Sequence, residues 1–368
     1  MSTSNESVRA QTFCVLGAGN GGLAMAGHLA WMGFSVHLYN RSPLRLQGVA
    51  WHGGVELSGA IEGFAPVETF TNLEKAVHGC DVLMVVTPAN AHRELAQQLA
   101  PLVEDNQIIV LNPGRTGGAL EFRSIWDKAE VTTHPILAET QTLLYAARGA
   151  GYRATIFRIK DTVPLATLPS YHIPRVLDIL RPAFPQFTAG TNVLSTSLDN
   201  IGAVFHPALT VLNAAWIEAT GGDFEYYLEG ITPTLANFLE ALDAERVAVA
   251  TALGMRSPTV REWLFSSYGS TGKSLYEAIQ NTPAYKGIPA PATIDHRYVS
   301  EDVPMSLVPI ASLGLSLNVA TPNIDLVIDL ASTFHNVDYR AVGRSVDSLG
   351  LAGRSVKDIS QFLAGGTR

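Results

Sequence analysis

One histidine inside an almost wholly apolar stretch is the first residue with chemistry to offer. In IGAVFHPALTVLNAAW, residues 201–216, His206 is followed at once by Pro207. Helical spacing puts Asp199, His206, Thr210 and Asn213 on one face. A polar stripe on so apolar a helix suits a face lining a wet cleft, and a buried histidine satisfied by a neighbour would give the same pattern. Pro207 lacks an N–H, so the Ala203 carbonyl loses its helical partner and a kink beside His206 is expected. Imidazole titrates near neutral pH, which suits proton transfer, and such a histidine usually has an orienting carboxylate. RYVSEDVP, residues 297–304, supplies candidates. Glu301 or Asp302 could orient the ring, and Arg297 could clamp a substrate carboxylate through paired N–H groups. Spacing alone does not choose between the two acids.

A second constellation opens the chain. TFCVLGAGNGGLAMAGHLAWMGFSVHLYNRS, residues 12–42, reads as strand, glycine-rich turn, helix and second strand. Gly17, Gly19 and Gly22 complete the G-x-G-x-x-G pattern of a dinucleotide-binding βαβ unit. Gly17 permits the tight turn, Gly19 lets the backbone approach a pyrophosphate, and Gly22 lets helix and strand pack closely. Asn20 opens the helix, whose free N–H groups face the phosphates. The second strand ends in Asn40, Arg41 and Ser42, with no carboxylate to bind ribose hydroxyls. Arg41 suits stacking on adenine and pairing with a 2′-phosphate, and Asn40 and Ser42 can donate to it. NADP is therefore the favoured cofactor, with NAD possible. Two more loops, TPAN with Pro88 and NPGRTGG with Asn112 and Gly114, leave the carboxyl ends of strands, where ligands bind in open α/β sheets.

The elements that must position these residues divide the chain in two. Strands and helices alternate up to about residue 190. The segments VTTHPILAETQTLLYAARG and RATIFRIKDTVPLATLP are expected to extend the same sheet. Helical periodicity dominates afterwards, with helices expected at 195–219, 232–254, 257–267, 272–280, 321–335 and near 341–348. A long irregular loop carries Pro289 and Pro291. The expected fold is α/β, an N-terminal Rossmann-type doubly wound sheet over residues 1–190 followed by an all-helical C-terminal domain over 191–368. The site is expected in the cleft between them.

Composition narrows the function classes. The 368 residues are 47% hydrophobic, enough for a core in each domain. A net charge of -8 gives no basic face for nucleic acid. No apolar run approaches the roughly 20 residues that span a bilayer. The polar N-terminal segment lacks the apolar core of a signal peptide, so export is not expected. Cys14 and Cys80 are expected in the core, in a reducing, cytoplasmic setting, and no metal site is expected.

The motifs VLGAGNGG, LNPGRTGGALEFR, HPALTVLNAA, YYLEGITP, LDAERVAVA, NTPAYKGIPAP and RYVSEDVPMSLVP span nearly the whole chain. Together they resemble the opine dehydrogenases, the octopine and nopaline dehydrogenase group, and its bacterial members most. The resemblance implies an N-terminal Rossmann domain, a C-terminal helical domain and an NAD(P)H-dependent reductive condensation of an L-amino acid with a 2-oxo acid, often pyruvate, through an imine. The histidine of its H-P motif carries over to His206, and the aspartate of its E-D-V motif to Asp302, which chooses between the two acids. The arginine that holds the oxo-acid carboxylate carries over to Arg297. Asn112 and Gly114 are expected near the nicotinamide. Thr140, Asn213 and Tyr227 are expected at the substrate, with Glu139, Tyr226 and Glu229 nearby. Two departures stand out: an NAD-using member is acidic where this chain reads NRS, and has asparagine at the position of Gly202.

A homodimer acting on small molecules is expected. The competing readings are an enzyme resembling glycerol-3-phosphate dehydrogenase or ketopantoate reductase, or a dinucleotide-binding regulator without turnover. The first group leans on a lysine early in the helical domain, and this chain has none between Lys160 and Lys273. A regulator would have no need of a histidine, aspartate and arginine set.

Overall fold

The structure is a computed structural model and describes residues 11–365. Residues 1–10, on which the expectation about a signal peptide falls, and 366–368 lie outside them. The described residues form two compact units. One holds the chain up to Pro113 together with Ile125–Gly190, and the other holds Gly114–Ser124 and everything from Thr191. The segment after the NPG turn thus packs with the helices, although it follows a strand of the N-terminal sheet.

The N-terminal unit is built on an eight-stranded sheet. Its order is Phe187–Ala189, Val163–Leu168, Ile136–Thr140, Ile108–Leu111, Val82–Val85, Thr12–Leu16, Ser35–Tyr39 and Glu68–Phe70. All neighbours are parallel except Val163–Leu168, which runs antiparallel to Ile136–Thr140. Val82–Val85 and Ile108–Leu111 are buried at every position. Burial on both faces is why they read as continuous apolar runs.

Part of the expected extension goes elsewhere. Tyr145–Ala150 and Arg153–Ile159 pair with Gly54–Gly59 and Gly63–Pro66 in a separate four-stranded sheet. The reason lies in the glycine-turn helix, Asn20–Trp31, which is buried from Gly22 through Ala30. A helix apolar all round needs cover on both sides. It packs on Thr12–Leu16 and Ser35–Tyr39 of the main sheet and on all four strands of the second. Gly27 permits that approach, since a Cβ there would lie 2.8 Å from a Leu57 methyl carbon.

The second unit is helical. Its longest helix, Pro233–Ala252, begins on a Thr232 cap whose hydroxyl accepts the Leu235 N–H. The single helix expected over 195–219 is instead three, Val193–Leu198, Gly202–Leu212 and Ala214–Thr220. The first break comes where the Leu198 carbonyl accepts from the fully buried Arg246. The Asp199 carboxylate accepts there from the Ser257 hydroxyl. At the second break, the Asn213 amide nitrogen donates to the Leu209 and Gly230 carbonyls. Pro207 sits within Gly202–Leu212, which runs through it as one helix. Among the described residues, no helix is long and apolar enough to cross a membrane. No group of three or more His, Cys, Asp or Glu among them could hold a metal ion.

Candidate active site

The glycine turn shows each residue at its task. Gly17 has φ +116°, and a Cβ there would stand 2.8 Å from the Val86 carbonyl oxygen. Gly22 is tighter still: its Cβ would fall 1.7 Å from the Gly17 oxygen, so only glycine lets the helix start so near the strand. A Cβ at Gly19 would meet no protein atom within 4 Å. The first and third glycines serve packing, and the second keeps the turn open on its ligand side. These features fit a dinucleotide pyrophosphate.

Around the turn, Asn20 and Asn40 stitch the backbone. Asn20 Oδ1 accepts the Gly149 N–H at 2.9 Å. Asn40 Oδ1 accepts from Ala18 N–H at 3.2 Å, and its Nδ2 donates to the Ser42 carbonyl at 3.1 Å. Asn40 thus uses its amide oxygen and one of its two N–H donors to shape the turn. Ser42 precedes the helix Pro43–His52 without a side-chain capping bond. Arg41 is exposed and pairs with Glu94 at 2.9 Å, a carboxylate that the reading of YNRS left out. Pro88 is exposed and leads into a short 3-10 turn. The buried oxygen atoms Thr87 Oγ1 and Asn112 Oδ1 have no hydrogen-bond partner. Both follow strands at their carboxyl ends, and orphaned acceptors and donors there fit a polar ligand. Thr140 is buried, with its hydroxyl 3.0 Å from the Thr142 carbonyl oxygen.

The second unit brings His206 and RYVSED together. His206 Nδ1 lies 2.8 Å from Asp302 Oδ2. Asp302 is fully buried. Its other oxygen, Oδ1, is 3.0 Å from Arg115 Nη1. Burial pushes the Asp302 carboxyl up, but Arg115, the His206 hydrogen bond and charge, and Arg297 outweigh it and leave it below the ordinary carboxylate value. An ionised carboxylate only accepts, so Nδ1 of His206 carries the proton in that bond and Nε2 is left for exchange.

Glu301 takes the other half of the pattern. Its Oε2 accepts from Arg297 Nε at 2.9 Å and lies 2.6 Å from Arg297 Nη2. Its Oε1 accepts from Arg115 Nε at 3.3 Å. Geometry thus gives Asp302 to the histidine and Glu301 to the arginine. Arg297 is 55% exposed in its side chain, with one edge of its guanidinium on Glu301.

The polar stripe does not survive as drawn. Asp199 stands beyond the histidine helix and belongs to the Arg246 network. Thr210 is fully buried, its hydroxyl donating to the His206 carbonyl at 2.8 Å and lying 2.7 Å from the Tyr226 hydroxyl. Asn213 is half-buried at the helix end, with its amide nitrogen holding two carbonyls. Tyr227 is buried, stacked on Tyr285 at 4.2 Å. Of the four, His206 is the one whose side chain reaches the paired charges.

Sequence reasoning overlooked two participants, Tyr298 and Arg115. Tyr298 stacks on the His206 ring with centroids 4.1 Å apart and 19° between planes. Tyr226 stacks on Tyr298 in turn, at 5.4 Å. Arg115 comes from NPGRTGG, far away in sequence. The signal for it was present, a lone charge in a glycine-rich loop, but the loop was read for the cofactor alone. Gly114, expected at the cofactor, gives its carbonyl to Arg344 at 3.0 Å.

Comparison with known proteins follows the same division. Residues 189–335 match the family described as NAD/NADP octopine/nopaline dehydrogenase, alpha-helical domain. Residues 12–113 match the NAD-dependent glycerol-3-phosphate dehydrogenase N-terminus. The chain is 40% identical over 358 residues to an opine dehydrogenase of Arthrobacter sp. (strain 1C), covering 96% of this chain and 98% of that one. Its fold is that of octopine dehydrogenase solved with NADH and L-arginine, with TM-score 0.78, 22% identity, and 98% and 99% of the two chains covered. It is also that of yersinopine dehydrogenase solved with NADP+, with TM-score 0.75, 15% identity, and 97% and 98% covered.

Proposed function

Since the chain belongs to the octopine/nopaline dehydrogenase family and is an NAD(P)-dependent opine dehydrogenase, we propose that His206 and Asp302 move its protons while Arg297 holds the 2-oxo acid. The reaction condenses an amino acid with a 2-oxo acid through an imine and runs in reverse as an oxidation. Pyruvate is the proposed oxo acid. The observation that carries the assignment is the 2.8 Å contact between His206 Nδ1 and a buried Asp302 oxygen.

Condensation requires the amino group to lose a proton, attack the carbonyl carbon and expel water. The imidazole Nε2 takes the proton from the ammonium and returns one to the departing oxygen. Asp302 holds the tautomer and offsets the charge that His206 gains. The guanidinium edge of Arg297 that Glu301 leaves open suits the oxo-acid carboxylate, and would fix C2 for reduction. Tyr298 holds the imidazole plane. A bound reduced nicotinamide would supply the hydride for the imine carbon. The glycine turn, Thr87 and Asn112 are the residues that would hold that cofactor.

NADP is the proposed preference, supported by Arg41 and by the lack of a carboxylate at the strand end. The Arg41–Glu94 pair supports a second reading, use of both cofactors, because Glu94 competes with a 2′-phosphate for the guanidinium. Two free, buried cysteines support a reducing, cytoplasmic setting. The direct test is a steady-state matrix of 2-oxo acids against L-amino acids with NADPH and with NADH. Coenzyme oxidation that requires both partners is expected. No combination above background would sink the reading.

A further inference from the structure

The charged chain of the helical unit has a centre that the reaction described so far does not use. We infer that Arg115 is the positioning residue of this site, a single guanidinium that locks Asp302 for His206 and Glu301 for Arg297. The inference rests on the function proposed above.

Three observations carry it. Arg115 reaches both acids, with Nη1 at 3.0 Å from Asp302 Oδ1 and Nε at 3.3 Å from Glu301 Oε1. Its side chain is 11% exposed, against 0% for Asp302 and 3% for Glu301, so the three charges lie together out of water. Two buried carboxylates on adjacent residues repel, and a shared cation between them relieves both.

The loop that delivers Arg115 is itself held. Arg115 has φ +56° and Gly117 φ +81°, left-handed geometry that turns the loop sharply at these positions. The Thr116 N–H donates to the Met305 carbonyl, beside the acids, and the Gly117 N–H donates to Ser197 Oγ. Arg344, fully buried, donates to the carbonyls of Gly114 and Thr116 on either side of Arg115 and to Glu121. A guanidinium fixed by both flanks has little freedom beyond holding its two partners. Lysine would not do the same, because a point charge on a flexible stem lacks the fork that spans two carboxylates.

The groups facing Asp302 are Arg115 from this loop, His206 from its helix, and Arg297 and His296 from 296–297, with Tyr226 and Ser306 completing the surroundings and Tyr298 stacked on the His206 ring beside them. Arg115 is the strongest of those that hold its carboxyl down. Losing it therefore raises the pH at which Asp302 ionises.

The experiment compares Arg115→Met and Arg115→Lys with the unmodified enzyme. Arg115→Met is expected to move the acid limb of opine oxidation about one pH unit upward. It should also raise KM for the 2-oxo acid about tenfold in the condensation, through the released Glu301–Arg297 pair. Arg115→Lys is expected to restore one effect and not both. The ionisation of Asp302, followed by 13C-carboxyl NMR in the coenzyme-free protein and assigned with Asp302→Asn, should rise in Arg115→Met whether or not opines are the substrates. That arm separates failure of this inference from failure of the proposed reaction. The inference is overturned if Arg115→Lys matches the unmodified enzyme in both limb and KM. A shift only in melting temperature, with the Asp302 titration unmoved, overturns it as well.

Discussion

His206 and Asp302, ninety-six residues apart, meet at 2.8 Å through Nδ1 and Oδ2. That contact makes the two residues one proton-handling unit, and it can be tested from either end. His206→Asn is expected to lower turnover about 100-fold or more. Coenzyme binding, followed by nicotinamide fluorescence, should be retained, because the glycine turn belongs to the other unit. Asp302→Asn keeps the shape of the carboxylate but can donate to Nδ1, which favours the wrong tautomer, and should cost a similar factor. Near-normal turnover in either variant removes the pair from the mechanism.

Gly19 and Gly22 separate coenzyme binding from folding. Gly22→Ala puts a Cβ on backbone at 1.7 Å, so the helix must shift. A loss of roughly 2–4 kcal/mol in unfolding free energy is expected, with binding lost alongside. Gly19→Ala meets no protein atom, so its unfolding curve should stay within about 0.5 kcal/mol of the parent. Its Kd for coenzyme should nevertheless rise about tenfold, because the added methyl lies where a pyrophosphate would approach. Denaturant titration and fluorescence binding on the two variants check this. Equal behaviour would mean that the middle glycine does not face the coenzyme.

The glycine turn was legible because its chemistry is local: strand, turn and helix follow within one βαβ unit. His206 stood out because one ionisable group in an apolar run is conspicuous. What stayed hidden was non-local. Nothing in NPGRTGG indicates that Arg115 meets residues 186 and 187 positions later. The helix breaks at Leu198 and Asn213 depend on Arg246, which donates to the Leu198 carbonyl, and on the Asn213 side chain, which donates to the Leu209 carbonyl, acceptors that periodicity alone assigns to a continuing helix. Tyr145–Ala150 carries a good strand pattern, but pattern does not name the sheet. The need to cover Asn20–Trp31 does. Choosing Asp302 over Glu301 took the family resemblance, and the geometry then showed Glu301 engaged with Arg297.

Arg41 tests coenzyme choice. Its guanidinium is exposed and tied to Glu94 by a surface pair worth no more than about 1 kcal/mol, so a doubly charged phosphate can take it over. Arg41→Asp is expected to raise KM for NADPH at least tenfold and leave that for NADH within about threefold. Glu94→Gln should tilt the ratio toward NADPH by removing the competitor. A preference for NADH in the unmodified enzyme would overturn the reading of YNRS.

His28 makes the N-terminal unit sensitive to acid. It lies buried on the glycine-turn helix, with Nδ1 2.9 Å from the Tyr145 hydroxyl in the second sheet. Burial lowers its pKa from 6.5 to about 4. Folding therefore favours the neutral ring, while the unfolded chain takes up a proton below about 6.5. The stability that follows is complete above pH 6.5 and declines as the pH falls toward 4. Between pH 7.5 and 5 the loss attributable to this residue is about 2 kcal/mol. His28→Gln keeps a polar partner for Tyr145 but does not titrate, so its stability relative to the parent should improve by that amount over the same interval. Denaturant unfolding of both proteins at the two pH values checks it, and a constant difference would show that His28 is not the acid-sensitive group.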